Sequence, residues 1–326
     1  MSDLKFLVVG CGAVGIPYTW VLAQSVPETN IFAVCRSNRD VAADKGLRMN
    51  SEVWGDNLQV KPVIVGSVAE AVERNNGQAF DYVIVSTKCL PPFSAMPECI
   101  RPAVEQGRTS IALFQNGIGI EDHYAKLYPG NPIISVVVYV KTNEIEPGYV
   151  HHINIQHLHM GTYPASAPKA HKDAMSRLAA LYRSGGASID VHDDVQVERW
   201  SKALVNSVWN PVTALTRLGD AAFLAADSDA EGMIRDAMRE TAAVAQACGF
   251  ASVNDELVEF QLNRAMKRKF PGVVASMMVD AVSGRRMEID ALVGNIIEIG
   301  KQKGVPTPLL KMLYLLTKGL NESTVR

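Results

Sequence analysis

The residues best suited to chemistry near the start of the chain are three glycines with the spacing G-x-G-x-x-G. They belong to the segment Gly10-Cys11-Gly12-Ala13-Val14-Gly15. A mostly apolar run at residues 4–9, typical of a buried parallel strand, precedes them, and a helix-forming run at residues 13–23 follows. In this order the first glycine permits a tight turn, the second lets backbone N–H groups approach a pyrophosphate, and the third brings the helix close to the strand. The segment therefore predicts a dinucleotide-binding turn at a helix N-terminus.

Arg36 follows the second predicted strand, where NAD-binding sites tend to place Asp or Glu on the ribose 2′-hydroxyl. Here no acidic residue occurs before Asp40. The guanidinium of Arg36 could instead bind a 2′-phosphate, with Ser37, Asn38 or Arg39 nearby. We therefore expect NADP, as NADPH, rather than NAD as the cofactor.

A second candidate group is a lysine and two amides at four-residue intervals in an apolar stretch of the C-terminal half. Lys202, Asn206 and Asn210 would lie on one face of a helix. Such side chains require either solvent or a polar cleft. Alternatively, the three side chains form an ordinary solvent-exposed face of the helix. The apolar residues on both sides of them disfavour that interpretation. Pro211 follows directly, so we expect the helix to bend or break there.

Two further polar residues occur later in the chain. Ser276 lies in another predicted helix, and Glu288 is in the first turn of the next one. The dipole of that helix would explain an acidic residue in its first turn. Alternatively, Glu288 places a hydrogen-bond acceptor beside Lys202.

Strands and helices alternate through the first half of the chain. After the first two strands, further strands are predicted at residues 60–65 (interrupted early by Pro62), 80–85, 109–114 and 132–140, with helices at 41–50, 68–75 and up to 106. This alternation predicts a parallel sheet that is covered on both faces and binds ligands beyond the carboxyl ends of its strands. Lys88 and Asn116 each come just past a strand end, so we expect both to face the cofactor. Asn116-Gly117 is also an ordinary turn signal.

The composition of the chain changes near residue 192. Residues 148–161 are predicted as antiparallel strands, 169–184 as a helix and 187–191 as a last strand. Beyond them only helices are predicted, at residues 195–218, 233–248, 253–269, 273–282, 287–303 and 307–320. We therefore predict the α/β fold class, with a Rossmann-type doubly wound sheet at residues 1–192 and an all-α C-terminal domain at residues 193–326.

Four histidines occur close together, namely His151, His152, His157 and His159. Adjacent residues of a strand point to opposite faces, and no carboxylate or cysteine stands close to the four in the sequence. We therefore expect surface positions on the strands and no metal site.

The overall composition excludes several classes of protein. A formal net charge of −2, without a basic block, gives nucleic-acid binding no electrostatic support. No apolar run is long enough to cross a bilayer, and we expect no secretory signal. The five cysteines lack metal-like spacing, as expected for free thiols in the cytoplasm. The apolar C-terminal helices could pack within the chain or against a second copy, so a homodimer is an open alternative.

Over nearly the whole chain, the order and spacing of these motifs resemble the ketopantoate reductase (2-dehydropantoate 2-reductase) family. The resemblance rests on the glycine turn, Arg36, Lys88 after Ser86-Thr87, and Asn116-Gly117-Ile118-Gly119. It continues through residues 147–152, Trp200-Ser201-Lys202, Asn206, Asn210, Ser276 and Arg286-Met287-Glu288-Ile289-Asp290. The chain departs from the family at Met287, where threonine is common.

The resemblance implies an NADP-dependent oxidoreductase that reduces a small 2-oxo acid to a 2-hydroxy acid. The first candidate is 2-dehydropantoate, in pantothenate biosynthesis. Lys202 would be the catalytic proton donor to the substrate oxygen, and Glu288 would bind that oxygen as it becomes a hydroxyl. Substrate would be bound by Asn116, Asn206, Asn210 and Ser276, and the cofactor by the glycine turn, Arg36, Lys88 and Asn116. A cationic lysine fits this chemistry because charge builds on the oxygen as hydride arrives.

Other functions remain open on the same architecture. β-Hydroxyacid and opine-type dehydrogenases, or a ketone reductase, also join a dinucleotide domain to helices with a lysine and an asparagine. The position of Glu288, twelve residues after Ser276, favours the ketopantoate reductase family. A non-enzymatic NADP-binding redox sensor would need no proton donor, and the combination of Lys202, Asn206 and Glu288 argues against it.

Overall fold

Ten strands within the described part of the chain form one mixed sheet. The structure is a computed structural model that describes residues 3–324. The strands are β1 (Phe6–Val9), β2 (Ile31–Val34), β3 (Leu47–Ser51), β4 (Gly55–Val60), β5 (Val63–Val65), β6 (Tyr82–Val85), β7 (Ser110–Leu113), β8 (Ile133–Glu146), β9 (Tyr149–Tyr163) and β10 (Ile189–Val191). Their order is β4-β3-β9-β8-β7-β6-β1-β2-β5, and β10 pairs with β9.

Strand β1 lies between β2 and β6, and both pairs are parallel. On one side of β1 lie β2 and β5, and on the other side lie β6, β7 and β8, while β3 and β4, which come between β2 and β5 in sequence, lie at the far edge. The direction of winding therefore reverses between β1 and β6, which is where open α/β sheets bind their ligands. All residues of β1 and β6 are buried, so the sheet is covered on both faces at this point.

The other strands make the sheet mixed rather than parallel throughout. Strands β8 and β9 form a long antiparallel hairpin, and β3 pairs antiparallel with β4. The predicted helix at residues 41–50 is wrong in its second half, because that half is strand β3. Gly46, with φ +69°, ends the preceding helix in a left-handed conformation that favours glycine. Burial alternates from residue to residue along β3, which is the two-residue period expected of a strand.

Six α-helices accompany the sheet in the described residues. They are α1 (Gly15–Ala23), α2 (Arg39–Lys45), α3 (Val68–Arg74), α4 (Ala95–Ile100), α5 (Glu121–Leu127) and α6 (Lys169–Ser184). The bounds predicted for α6 are confirmed. The strand predicted at residues 60–65 is confirmed in part, because Val63–Val65 form β5 after the expected interruption at Pro62, whereas residue 60 ends β4 on the opposite edge of the sheet. Proline cannot donate a hydrogen bond to a strand ladder.

The chain divides into two compact units, and each unit consists of several separate segments of the sequence. The first extends as far as Lys88 and includes Pro92–Gln115 and Ile120–Val195. The second contains Cys89–Pro91, Asn116–Gly119 and the chain from Gln196 onward. Two short loops that follow strands of the sheet therefore belong to the helical unit.

The helical unit is organised around its longest helix, α7. Its described helices are α7 (Gln196–Thr216), α8 (Asp220–Leu224), α9 (Ala230–Ala247), α10 (Asp255–Met266), α11 (Ser276–Val282), α12 (Asn295–Lys303) and α13 (Pro308–Thr324). A π-helical segment, Asp290–Gly294, leads into α12. Helix α7 continues through Pro211, so the predicted alternative of a break there is wrong. Among residues 3–324, the helices lack the combination of length and apolar character needed to cross a bilayer.

Candidate functional site

Two glycines of the turn after β1 cannot gain a side chain without moving the backbone. Gly10 has φ +103°, and a Cβ there would lie 2.7 Å from the backbone nitrogen of Thr87. A Cβ on Gly15, the first residue of α1, would lie 1.9 Å from the carbonyl oxygen of Gly10. Both glycines therefore permit the close approach of strand, turn and helix that their spacing predicts.

Gly12 differs from these two residues, because a Cβ at Gly12 would meet nothing within 4 Å. Packing among the described residues therefore does not require a glycine here, whereas a ligand lying against the backbone of the turn would. In the described structure, no acidic residue or side-chain cap occupies the first turn of α1. The N–H groups and the positive end of the helix dipole are available to a phosphate. The turn thus fits a dinucleotide.

Three side chains from other segments hold the carbonyl groups of this turn. The bonds run from Asn38 Nδ2 to Cys11 O (2.7 Å), from Thr142 Oγ1 to Ala13 O (2.7 Å) and from Ser86 Oγ to Gly10 O (2.6 Å). They fix the orientation of the peptide groups in the turn. Sequence reasoning predicted none of the three in this role, because each contact joins residues that are far apart in the chain.

Arg36 follows β2, and its side chain is exposed. Its neighbour Arg39 forms a salt bridge with Glu70 at 2.9 Å, and Asn38 is buried. Of the four residues considered for a 2′-phosphate, Arg36, Ser37 and Arg39 are exposed, but the guanidinium of Arg39 is already paired with a carboxylate.

Lys88 is exposed and comes three residues after the end of β6. Strand β6 is one of the two strands between which the winding of the sheet reverses. A residue just past this strand end has the position expected of one that faces a cofactor.

The loop Asn116–Gly119 is attached to the helical unit through its backbone. The N–H of Ile118 donates to the carbonyl of Ala291 at 3.3 Å, and Asn295 Nδ2 donates to the carbonyl of Ile118 at 2.8 Å. Ala291 lies in the π-helical segment, an irregularity frequent at functional sites. These contacts fix the position of Asn116, the first residue of the loop.

Lys202 contacts this loop directly, since its Nζ donates to Asn116 Oδ1 at 2.6 Å. The pKa of Lys202 is lowered to about 7, first by desolvation and then by the positive charge of Arg199. The carboxylate of Glu288 acts in the opposite direction. A lysine with this pKa can hold or release a proton near neutral pH.

Glu288 lies just before the π-helical segment, and its Oε1 accepts a hydrogen bond from the backbone N–H of Cys89 at 2.7 Å. The carboxylate of Glu288 is therefore held by the backbone of Cys89, which is remote in sequence. The dipole of the following helix alone does not explain its position. The negative charge of Glu288 raises the pKa of Lys202, against the effects of desolvation and Arg199. Asn116, Lys202 and Glu288 all belong to the helical unit and interact through Lys202, and their common role in a site stays a prediction.

The two asparagines of α7 are used differently. Asn210 is buried, and its Oδ1 accepts hydrogen bonds from Ser276 Oγ and from the N–H of Met277, both at 3.1 Å. It therefore holds the start of α11. Asn206 is partly exposed, and its amide makes no hydrogen bond with another residue of the described chain. Asn206 and the exposed Ser276 are the members of this set that can still bind a ligand.

Arg199 belongs to this cluster but was missed by sequence reasoning. It is buried three residues before Lys202 on α7, and its guanidinium donates to the carbonyl of Gly117 at 3.0 Å. It therefore anchors the loop of Asn116 and also lowers the pKa of Lys202. Extending the helical pattern one turn backward would have included it. The N–H of Cys89 carries no such signal, because it is a backbone group.

One of the four histidines of β9 departs from the expectation of surface positions. His152 is fully buried, with Nδ1 2.8 Å from Ser51 Oγ and Nε2 2.9 Å from the carbonyl of Ile155. Burial lowers the pKa of this imidazole. A carboxylate that is remote in the sequence lies close to this group of histidines, because strand pairing brings Asp190 Oδ2 to 3.0 Å from His157 Nε2.

Individual relatives cover almost the whole chain. The 2-dehydropantoate 2-reductase of a Nostoc species is 24% identical, over 98% of this chain and 96% of the relative. The crystal structure of 2-dehydropantoate 2-reductase from Methylococcus capsulatus has a TM-score of 0.84 at 28% identity, and covers 99% of this chain and 98% of that one. A D-mandelate dehydrogenase solved with NADH and anilino(oxo)acetate shares the fold, with a TM-score of 0.85 at 23% identity over 98% and 99% of the two chains.

Two family models match the sequence in tandem. The model of ketopantoate reductase PanE/ApbA matches residues 6–165, and the model of its C-terminal part matches residues 194–321. Together they span the glycine turn, the loop of Asn116, and both Lys202 and Glu288. The chain belongs to the ketopantoate reductase family of oxidoreductases.

Proposed function

We propose that this chain catalyses the NADPH-dependent reduction of a small 2-oxo acid to the 2-hydroxy acid, with 2-dehydropantoate, which gives pantoate, as the preferred substrate. The observation that carries the proposal is the cluster of Lys202, Asn116 and Glu288, in which the lysine has a pKa of about 7. Reduction of a ketone needs a hydride at carbon and a proton at oxygen. The lysine suits the second requirement.

The glycine turn and Arg36 are proposed to hold the cofactor. The open space at Gly12 and the N-terminus of α1 suit a pyrophosphate, and the exposed guanidinium of Arg36 suits a 2′-phosphate. Lys88 adds a positive charge past the end of β6. When bound, the nicotinamide would supply the hydride to the carbonyl carbon of the substrate.

Lys202 is proposed to stabilise the negative charge on the substrate oxygen and then to protonate it. An unperturbed lysine has a pKa of about 10.4 and releases its proton reluctantly at neutral pH, so the lowered pKa favours this transfer. The hydrogen bond to Asn116 fixes the direction of the ammonium group. Glu288, held by the N–H of Cys89, would accept a hydrogen bond from the newly formed hydroxyl.

Asn206 and Ser276 are proposed to bind the carboxylate and the hydroxyl groups of the substrate. Both side chains are accessible, and amide and hydroxyl donors suit oxygen atoms. Asn210 would bind substrate only through its amino group, because its oxygen already accepts two hydrogen bonds. Its main contribution would be to hold Ser276 in place.

The proposal is tested by following NADPH consumption with a panel of oxo compounds. The panel contains 2-dehydropantoate, smaller aliphatic 2-oxo acids, an aromatic 2-oxo acid of the mandelate type, a β-keto acid and a simple ketone. We expect the highest kcat/KM with 2-dehydropantoate. Preference for a β-keto acid or a simple ketone would assign the chain to another reductase class. Binding of NADPH without turnover of any compound would favour a sensor.

A matched pair of variants distinguishes catalysis by Lys202 and its neighbours from the activity of a contaminating enzyme. Lys202→Ala removes the proposed proton donor, whereas Lys311→Ala removes an exposed lysine from α13. We expect activity to be lost in the first variant and kept in the second. Equal activity in both would contradict the proposed role of the cluster.

A further inference from the structure

Strands β9 and β10, with the residue that follows β10, place four polar side chains along one face of the sheet. The pairing is parallel, with Asp190 opposite His159. Because side chains alternate along a strand, His157 lies on the same face as His159. The intervening Leu158 points to the other face and belongs to the hydrophobic core. His192 follows two residues after Asp190 and joins the same row.

The side chains of this row lie within bonding distance of one another. His157 Nε2 is 3.0 Å from Asp190 Oδ2, and His159 Nδ1 is 2.9 Å from His192 Nε2. One ligand atom each from His157, His159 and Asp190 lie within 4.8 Å of one another. Tetrahedral ligands at zinc–ligand distances of about 2.0–2.2 Å are roughly 3.4 Å apart, so modest side-chain movements would bring all three onto one ion.

We propose that His157, His159 and Asp190 form a binding site for a divalent transition-metal ion, with Zn²⁺ as the representative. Two imidazoles and one carboxylate form a donor set that suits zinc, whereas Mg²⁺ and Ca²⁺ prefer oxygen ligands. The carboxylate of Asp190 is exposed, which gives the ion access and leaves room for water to complete the coordination. The proposed reduction does not use this ion.

Ser188 supports the geometry of His157 from the opposite side of the ring. Its Oγ lies 2.7 Å from His157 Nδ1, and a serine hydroxyl can either donate or accept. Without metal, the Nε2–H of His157 can donate a hydrogen bond to Asp190, while the hydroxyl of Ser188 donates to Nδ1. With a metal ion bound to Nε2, the ring proton lies on Nδ1, and the hydroxyl oxygen of Ser188 accepts a hydrogen bond from it. The ring therefore keeps a partner in both states, as metal-binding histidines generally do.

The ion would join a short edge strand to a long one. Strand β10 has three residues, and two of the three proposed ligands come from β9. An ion that binds the folded state more tightly than the unfolded chain stabilises the fold in proportion to the logarithm of its concentration. We therefore expect Zn²⁺ to raise the Tm.

The test uses the full chain, free of any histidine tag and treated with a chelator. Zn²⁺ is titrated in competition with a chromogenic chelator, and Tm is measured with and without Zn²⁺. We expect one ion per chain, at least a tenfold loss of affinity in His157→Gln and in Asp190→Asn, and a loss of about tenfold in Ser188→Ala. Mg²⁺ should not compete.

His151→Gln provides the matched control. His151 lies on the same strand and faces the carboxylate of Glu52 at 4.0 Å, and the metal-binding groups found in the described residues do not include it. This variant should keep the affinity for Zn²⁺ and the rise in Tm. The proposal is overturned if the wild type binds no Zn²⁺ at micromolar concentration, or if His157→Gln and Asp190→Asn bind it as tightly as His151→Gln. Circular dichroism of each variant establishes that it is folded.

Discussion

The two candidate sites of this chain are built in different ways. The glycine turn is proposed to bind through backbone groups, and its six residues are contiguous in sequence. The polar cluster of the helical unit is proposed to bind through the side chains of Asn116, Lys202 and Glu288, and together with the backbone N–H of Cys89 it spans about two hundred residues of the chain. The requirement at the turn is steric, whereas the requirement at the cluster is electrostatic. Substitutions in the turn should therefore affect stability and cofactor affinity, and substitutions in the cluster should affect turnover.

The largest expected effect is on catalysis by Lys202→Ala. General acid catalysis contributes about 10²- to 10⁴-fold, so kcat should fall by that factor. The Kd of NADPH should stay within about twofold, because the turn that is proposed to hold it lies in the other unit. Stopped-flow kinetics and fluorescence titration measure the two quantities. Near-normal kcat with a raised KM would instead make Lys202 a ligand of the substrate carboxylate.

The second comparison is between two glycines of the same turn. Gly15→Ala would place a Cβ 1.9 Å from a backbone oxygen, and overpacking of this kind costs about 1–3 kcal/mol of stability. Gly12→Ala meets open space and should change stability by less than about 0.5 kcal/mol. Both variants should bind NADPH more weakly. Urea unfolding and NADPH titration check this, and equal stability losses would show that Gly12 also has a packing role.

An effect of similar size is expected on the choice between the two cofactors. Arg36→Ala should remove a charge-assisted contact worth about 1.5–3 kcal/mol and weaken NADPH binding accordingly, while NADH binding is nearly unchanged. Arg39→Ala is the control, because Arg39 is paired with Glu70. Isothermal titration with both cofactors decides the matter. If Arg36→Ala weakens NADPH and NADH equally, Arg36 supports the loop and does not bind the phosphate.

The fourth comparison concerns the stability cost of burying a lysine. The pKa of Lys202 is lowered in the folded state, so its protonated form is disfavoured relative to the unfolded chain. The cost is fully present below about pH 7 and disappears as pH rises through the unfolded value of about 10.4. Lys202→Met should therefore raise Tm at pH 6 more than at pH 10. A pH-independent change in Tm would mean that packing alone is altered.

The difference between the two sites also explains which of their features could be predicted from the sequence. The glycine turn and the apolar strand before it are local patterns, and the structure contains both. The cluster was only partly foreseeable, because a helical period reveals Lys202 and Asn206 but not the N–H of Cys89 or the anchoring of Gly117 by Arg199. These contacts depend on where the backbone of distant segments passes.

Strand pairing is the second source of what the sequence did not reveal. Residues 47–51 have a helix-compatible composition, yet the alternating burial of β3 follows from its place between β4 and β9. Asp190 reaches His157 only because β10 pairs with β9, and the two residues are 33 positions apart. A register between strands cannot be derived from either strand alone.

The most direct test is the pH dependence of kcat/KM for the reduction, which reports the ionisation of the free enzyme. Because the protonated form of Lys202 is the proposed donor and its pKa is about 7, kcat/KM should be level at low pH and fall as pH rises through about 7. Lys202→Arg, whose guanidinium stays protonated and is a very poor proton donor, should be slow and lack this limb. A descending limb near pH 7 that persists in Lys202→Arg would contradict the assignment of Lys202 as the proton donor.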